Sequence, residues 1–307
     1  MIKILIKLLI SVSIIAYLFT RADLDLVFDR MKTAEHSLVL ASTCLFFALV
    51  IPQSIRWLSI LKGSGAGLKF QLATGITMVG WFFNQVLPSS VGGDAFRVWY
   101  AYRFGVRLST ATQSVIFDRL SALMAVMFIL LMSSPWLNLF FSSNQPVLAI
   151  LFFAFMLLSG CIFLMIADYI VPSFLPDTVK EHVIEFSGTA RKVFLGKTGL
   201  QVIAISVVIH FIVALVVWLL AQSLHIPLDI VHVLLLMPVI LFVTAIPISI
   251  AGWGVRESTM VIVFGMVGMP TESAISLSLS FGLIMLVASL PGGVVWWFMH
   301  HEVPQAR

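Results

Sequence analysis

Long apolar runs separated by short polar stretches organise this chain. A bilayer core of about 30 Å takes about 20 helical residues at about 1.5 Å each. Uninterrupted runs of about that length cover 4–20, 38–58, 109–132, 147–167, 199–222 and 273–299. None alternates apolar and polar residues as a strand of a membrane barrel does; Ile203–Leu220 carries only Ser206 and His210 among apolar side chains. Two further runs, 70–104 and 231–268, are interrupted, the first at Pro88–Gly93 and the second at Pro247–Gly254. The pattern predicts an all-α polytopic membrane protein, a single integral membrane domain over 1–307.

Composition narrows the class further. Of 307 residues 60% are hydrophobic and only 10% charged, with a mean hydropathy of +1.08. Soluble domains carry about a quarter charged residues, so there is too little polar surface here to coat a globule in water. Cys44 and Cys161 lie inside apolar runs and read as small core residues. No P-loop, GxSxG, HExxH or Cys/His cluster occurs, so no metal site or cofactor is expected.

The net charge of +4 does not point to nucleic acid, because the bases sit between apolar runs, where orientation signals belong. Lys3 and Lys7 place the N-terminus in the cytoplasm, and the absence of a small-x-small cleavage site after them favours an uncleaved first span. Loop 21–37 then lies outside, and Arg56, Lys62 and Lys69 mark the next turn as inside. The uncharged 133–146 fits outside, 168–198 with Lys180, Arg191, Lys192 and Lys197 fits a cytoplasmic loop, and 223–230 fits outside. Lys69, Arg103 and Arg107 must all be inside, so 70–104 enters from the cytoplasm and returns to it. By the same count 231–268 is a hairpin entering from outside. Span 273–299 ends inside with Trp296 and Trp297 at the interface. Both termini are expected in the cytoplasm, with the chain in the cytoplasmic (inner) membrane.

The two interruptions resemble each other. P-S-S-V-G-G-D-A-F-R (88–97) aligns with P-I-S-I-A-G-W-G-V-R (247–256), matching Pro88 with Pro247, Ser90 with Ser249, Gly93 with Gly252 and Arg97 with Arg256 at a shift of 159. Downstream, 104–111 resembles 267–274 at a shift of 163. Three full crossings per half turn the second half upside down. The expected architecture is therefore two inverted-topology repeats, 1–133 and 147–299, each with three transmembrane helices and one re-entrant broken-helix hairpin. Paired broken helices of this kind mark transport sites.

Each hairpin tip combines a proline without an N–H with glycines that permit unusual dihedrals: Pro88, Gly92 and Gly93 in one, Pro247, Gly252 and Gly254 in the other. A helix starting there offers free N–H groups and a partial positive charge, and Arg97 and Arg256 follow within about one turn. This suits an anion such as phosphate, with Ser90 and Ser249 adding hydroxyls. Arg97 and Arg256 read either as anion ligands or as side chains snorkelling to the headgroups. Asp94 caps the returning helix, holds Arg97 or carries a proton; Trp253 replaces it in the second copy, where Glu257 stands ready as the carboxylate. Asp118 and Arg119 lie deep in span 109–132, a costly position that is usually functional or a buried ion pair. They point about 100° apart, which leaves Arg119 for the cavity and Asp118 for Arg97 or Arg103. Asn84 and Gln85 either bond the freed backbone or line the site. Arg56 and Trp57 read as cytoplasmic anchors, and His210 as a hydrogen-bonded core histidine.

N-x-x-L-P-S-S-x-G-G-D-x-x-R (84–97), S-V-I-F-D-R-L (114–120) and P-I-S-I-A-G-W-G-V-R-E (247–257) resemble, in that order, the lysylphosphatidylglycerol synthase transmembrane-domain family, whose members are called flippase-like. The resemblance spans nearly the whole chain. Two-domain members carry a soluble synthase after the membrane part; here the chain ends at Arg307, so the resemblance implies lipid translocation rather than synthesis. The expectation is a flippase for an anionic phospholipid or a polyprenyl-phosphate-linked lipid, not an enzyme, passive or coupled to ions through Asp94, Asp118 or Glu257. The alternatives are an intramembrane lipid-modifying enzyme using Asp94, Asp118, Glu257, Ser89 or Ser90, and a non-catalytic subunit assisting lipid- or glycan-synthesis enzymes. Expected partners are membrane lipids with anionic headgroups, and oligomers are compatible with the sequence.

Overall fold

The computed structural model describes residues 2–87, 92–137, 145–171, 176–245 and 252–302. Pro88, Ser90, Pro247 and Ser249 lie outside the described residues. All regular structure among the described residues is helical: α1 (Ile2–Arg21), α2 (Leu24–Lys32), α3 (His36–Ala48), α4 (Val50–Gly63), α5 (Phe70–Val86), α6 (Gly92–Arg103), α7 (Leu108–Leu137), α8 (Gln145–Ile170), α9 (Asp177–Phe194), α10 (Gly196–Ser223), α11 (Ile230–Thr244), α12 (Val255–Gly265) and α13 (Thr271–Glu302). Five stretches are long and apolar enough to cross a membrane: His36–Gly63, Leu108–Trp136, Val147–Ile170, Gly196–Ser223 and Thr271–Met299. The chain is a multi-pass membrane protein. The first expected span is helical as α1, of which Ser11–Thr20 forms a shorter apolar segment.

Helices α3 and α4 make one 28-residue rod with a break at Leu49. Pro52 causes the break: it has no N–H to donate to the Ala48 carbonyl and its ring crowds that oxygen. The rod continues to Gly63, past the expected end at 58, because Leu58, Ile60 and Leu61 extend the apolar face before Lys62.

Two stretches expected as loops contain helices. In 21–37, Asp23 caps α2 by accepting from the Asp25 and Leu26 N–H groups, and Val27 is buried. In 168–198, α9 turns Ser187, Ala190 and Val193 inward at helical spacing, with Asp177 in its first turn and Arg191 and Lys192 in its last, matching the helix dipole. Both are polar on average, which disguised a periodic apolar face.

The interrupted runs form two hairpins of short helices. Residues 70–104 become α5 and α6, of 17 and 12 residues, or about 26 and 18 Å. Residues 231–268 hold α11 and α12, of 15 and 11 residues, or about 22 and 17 Å. Within the first hairpin Phe83 stacks on Phe96 at 3.6 Å, and α6 crosses α5 so closely that a Cβ on Gly93 would lie 1.9 Å from the Gly80 carbonyl oxygen. Gly105, at φ +93°, ends α6 and lets Val106 N–H bond back to Ala101.

The α3–α4 rod and α10 run antiparallel side by side along their length. Glu35 N–H donates to the Ser223 carbonyl at 2.9 Å, Arg56 Nη1 donates to Ser206 Oγ at 3.2 Å, and Gly63 packs on Thr198. Around this pair α5 packs against α13, and α11 against α7. The order of elements repeats along the chain: long helix, short amphipathic helix, rod, hairpin, long helix, over α1–α7 and again over α8–α13.

Candidate functional site

Four helices bring seven charged side chains to the centre of the bundle. In the first half they form a ladder. Arg56 on α4 donates from Nε to Asp118 Oδ1 at 2.7 Å. Arg97 on α6 reaches the other oxygen of Asp118 at 2.9 Å and lies 3.4 Å from Asp94 Oδ1. Arg119 closes the series, its Nε 2.7 Å from Asp94 Oδ2. The adjacent Asp118 and Arg119 separate as helix geometry requires: Asp118 is buried among α4, α6 and α7, while the Arg119 side chain is 52% exposed.

Arg56 and Trp57 are not interfacial anchors. Arg56 is buried in the ladder, and Trp57 is fully buried, donating from Nε1 to Ser114 at 3.1 Å while the Arg97 guanidinium lies 4.6 Å over its ring. A cation taken out of water needs such partners. Arg97 does not snorkel for the same reason. Asp94 holds two arginines, and Asp118 takes Arg97 together with Arg56 rather than Arg103.

The second half solves the same problem differently. At the shift of 163 that relates α7 to α13, Phe281 stands where Asp118 does. Arg256 therefore takes its carboxylate from the next residue: Nη2 lies 2.6 Å from Glu257 Oε1, and Ser278 donates to that oxygen at 3.2 Å. The rings of Trp253 and Phe281 flank the guanidinium at 4.8 and 6.0 Å. Glu257 Oε2 accepts from Gly254 N–H at 2.6 Å, tying the carboxylate to the start of α12. Gly254 precedes that helix at φ +86°, which a side chain would strain. Gly282 leaves room for Arg256: a Cβ there would lie 2.4 Å from Nη2.

Between the hairpins is a chamber of about 380 Å³. Its charged and polar lining comes from Gln53, Arg56, Asn84, Gln85, Arg119, His210, Thr244 and Arg256. Leu49, Ala122, Ile209 and Met285 also line it, and these stand at the middle of His36–Gly63, Leu108–Trp136, Gly196–Ser223 and Thr271–Met299. The chamber is thus at mid-depth of four candidate spans. Asn84 does both things expected of it: its Oδ1 accepts from Gly93 N–H at 3.0 Å, and it faces the chamber. Gly252 lines the chamber, whereas Asp118 and Glu257 stand behind its wall and hold Arg56 and Arg256, which do, and Arg97 stands behind it holding Asp118.

A second space of about 580 Å³ adjoins the first, between α6, α7 and α11. Arg119, Ala122, His210, Leu241 and Thr244 line both. His210 Nε2 lies 3.0 Å from the Ala122 carbonyl, to which its N–H donates, so the ring is fixed at the junction.

A polar chamber at the middle of four candidate spans, between two pairs of short helices, frames the comparison with known proteins. A family model described as "Lysylphosphatidylglycerol synthase TM region" matches residues 4–292. The chain belongs to this family. It is also similar over its whole length to the UPF0104 membrane protein MJ1595 of Methanocaldococcus jannaschii, with 22% identity over 332 aligned positions covering 100% of this chain and 96% of that protein. In this member of the lysylphosphatidylglycerol synthase TM-region family, sequence reasoning found Gln85 beside Asn84 but missed Gln53, Arg56, His210 and Thr244 as site residues. The signal for Arg56 was the apolar Leu58–Leu61 beyond it, which carries the span past the arginine. For Gln53, His210 and Thr244 only their place in apolar runs set them apart.

Proposed function

We propose that this protein is a lipid transporter that moves an anionic amphiphile across the cytoplasmic membrane, without modifying it. The carrying observation is the mid-depth chamber lined by Arg56, Arg119 and Arg256, which shares Arg119, Ala122, His210, Leu241 and Thr244 with an adjoining, mainly apolar space. Cations at this depth are costly and belong to ligand paths or paired networks. Guanidinium groups favour phosphate geometry. Asp94, Asp118 and Glu257, the candidate bases for an enzyme, are each already held by one or two arginines, which favours a transporter over a transferase.

The antiparallel course of the α3–α4 rod and α10, together with the repeated element order, supports two inverted repeats with α5–α6 and α11–α12 as re-entrant hairpins from opposite sides. Rocking of these repeats about the chamber provides alternating access. Arg103, Arg107, Lys62 and Lys69 favour a cytoplasmic position for the open end of the first hairpin.

Native mass spectrometry of the protein released from nanodiscs of phosphatidylglycerol and phosphatidylcholine tests this reading. Retention of the anionic lipid is expected, and its loss in the Arg119→Gln, Arg256→Gln double variant. Equal retention of both lipids, or retention unchanged in the double variant, contradicts it.

A further inference from the structure

Among the described residues the buried charges cancel. Arg56, Arg97 and Arg256 stand against Asp94, Asp118 and Glu257, all at most 8% exposed. Arg119 is the seventh charge. It shares Asp94 with Arg97, so the cluster as a whole carries one positive charge more than it balances. No other acidic residue can alter the count, because no further Asp or Glu stands between Glu35 and Asp168 or between Asp229 and Glu272. The surplus sits on the one member exposed to open space, at the junction of chamber and apolar cleft.

The cleft itself is built for hydrocarbon. Val98, Val115, Ile116, Leu120, Leu123 and Val126 line it, and its polar groups apart from Thr112 gather at the chamber end: Asp94, Arg119, His210 and Thr244. Ala95, Thr112, Ile116 and Ala245 are exposed, so it opens on the flank of the bundle. On α7 the lining runs from Thr112 to Val126, about 21 Å, from near the Arg107 end to just past mid-span. The corresponding face between α5 and α13 is shut. Gly292 brings α13 onto the Met78 backbone, where a Cβ would lie 2.0 Å from the carbonyl oxygen, and Gly293 packs on Phe82. Neither α7 nor α11 contains a glycine, so that pair cannot close in the same way.

We infer that the ligand is a singly charged amphiphile whose one anionic group docks on Arg119, with its polar head in the chamber and a hydrocarbon chain in the cleft, entered from the leaflet on the Arg103 and Arg107 side. This rests on the transporter reading and specifies its substrate class: a phosphodiester rather than a doubly charged phosphate monoester or a zwitterion. The desolvation cost of an ion rises with the square of its charge, while attraction to one surplus cation rises only linearly. A site with one surplus charge therefore prefers a monoanion. Dispersion and exclusion from water hold the chain in the cleft during loading.

The test uses the full-length protein in detergent with three hexadecyl probes above the second phosphate pKa of about 6: hexadecyl methyl phosphate with one negative charge, hexadecyl phosphate with two, and net-neutral hexadecylphosphocholine. Wild type is expected to bind the phosphodiester about tenfold more tightly than either other probe. Asp94→Asn and Glu257→Gln, at opposite ends of the cluster, each raise the surplus to two and move the preference toward the dianion. Arg119→Gln removes the surplus and moves it toward phosphocholine. Structural damage would weaken all three probes together without reordering them. Replacing hexadecyl by octyl methyl phosphate is expected to lose affinity in wild type, and Ile116→Trp to abolish that chain-length dependence. The same ranking in every variant overturns the charge assignment, and chain-length dependence unaffected by Ile116→Trp overturns the chain site. Failure of wild type to bind any probe contradicts the transporter reading itself.

Discussion

Asp118 accepts from two arginines on two different helices, Arg56 at 2.7 Å and Arg97 at 2.9 Å, and so ties α4 and α6 to α7. Removing one member of a buried ion network strands the others, at a cost of about 3–5 kcal/mol. Asp118→Asn is therefore expected to lower the unfolding midpoint in detergent strongly, and an unchanged melting curve would contradict a structural role. Arg119 differs because its side chain is half-exposed and stands at the end of the ladder. Arg119→Gln is expected to leave the fold intact while weakening anionic-lipid binding about tenfold, the worth of one charge-assisted hydrogen bond, as read by lipid retention in native mass spectrometry. The sequence made Arg97, Arg119, Arg256, Asp94, Asp118 and Glu257 visible because charge inside an apolar run has few innocent explanations. The angle between Asp118 and Arg119 pointed Arg119 at the cavity and Asp118 at an arginine, and what it left open was that Arg97 stands behind the chamber wall while Arg256 lines the chamber. Arg56 stayed hidden because positive residues at an apparent span end usually anchor, and only the continuation of α4 to Gly63 puts it at depth.

Helices α5 and α6 form a hairpin because they can approach closely. Gly80 and Gly93 meet where a side chain has no room, and Asn84 satisfies the Gly93 N–H at the start of α6. Small residues let backbones pack in this way within membranes. Gly93→Ala places a methyl group 1.9 Å from the Gly80 carbonyl oxygen and is expected to cost about 1–3 kcal/mol in stability, seen as a lowered unfolding midpoint. Tolerance of alanine there would mean that the two helices separate readily. Both hairpins were legible as interrupted apolar runs. The short amphipathic helices α2 and α9 were not, because their mean polarity resembles that of loops and only their periodicity and caps distinguish them.

At the scale of the molecule, the asymmetry between two similar halves has mechanical content. The α5–α13 contact is sealed by Gly292 and Gly293, while the α7–α11 side stands open along the cleft. Alternating access requires the sealed side to part. Gly75→Cys with Val295→Cys places thiols across this seam, where a Cβ at Gly75 would lie 3.4 Å from the Val295 side chain. Oxidation of this pair is expected to stop translocation while leaving lipid binding in place, and reductant to restore it; full transport through the cross-linked form would exclude motion at this seam. The most direct measurement for the whole account is translocation of a fluorescent phosphatidylglycerol in reconstituted vesicles, followed by quenching from outside. The account predicts that the wild-type protein speeds translocation well above empty vesicles and that Arg119→Gln with Arg256→Gln reduces the rate at least about tenfold at equal folded protein. Equal rates for wild type and double variant, or no acceleration by the wild type, would contradict it.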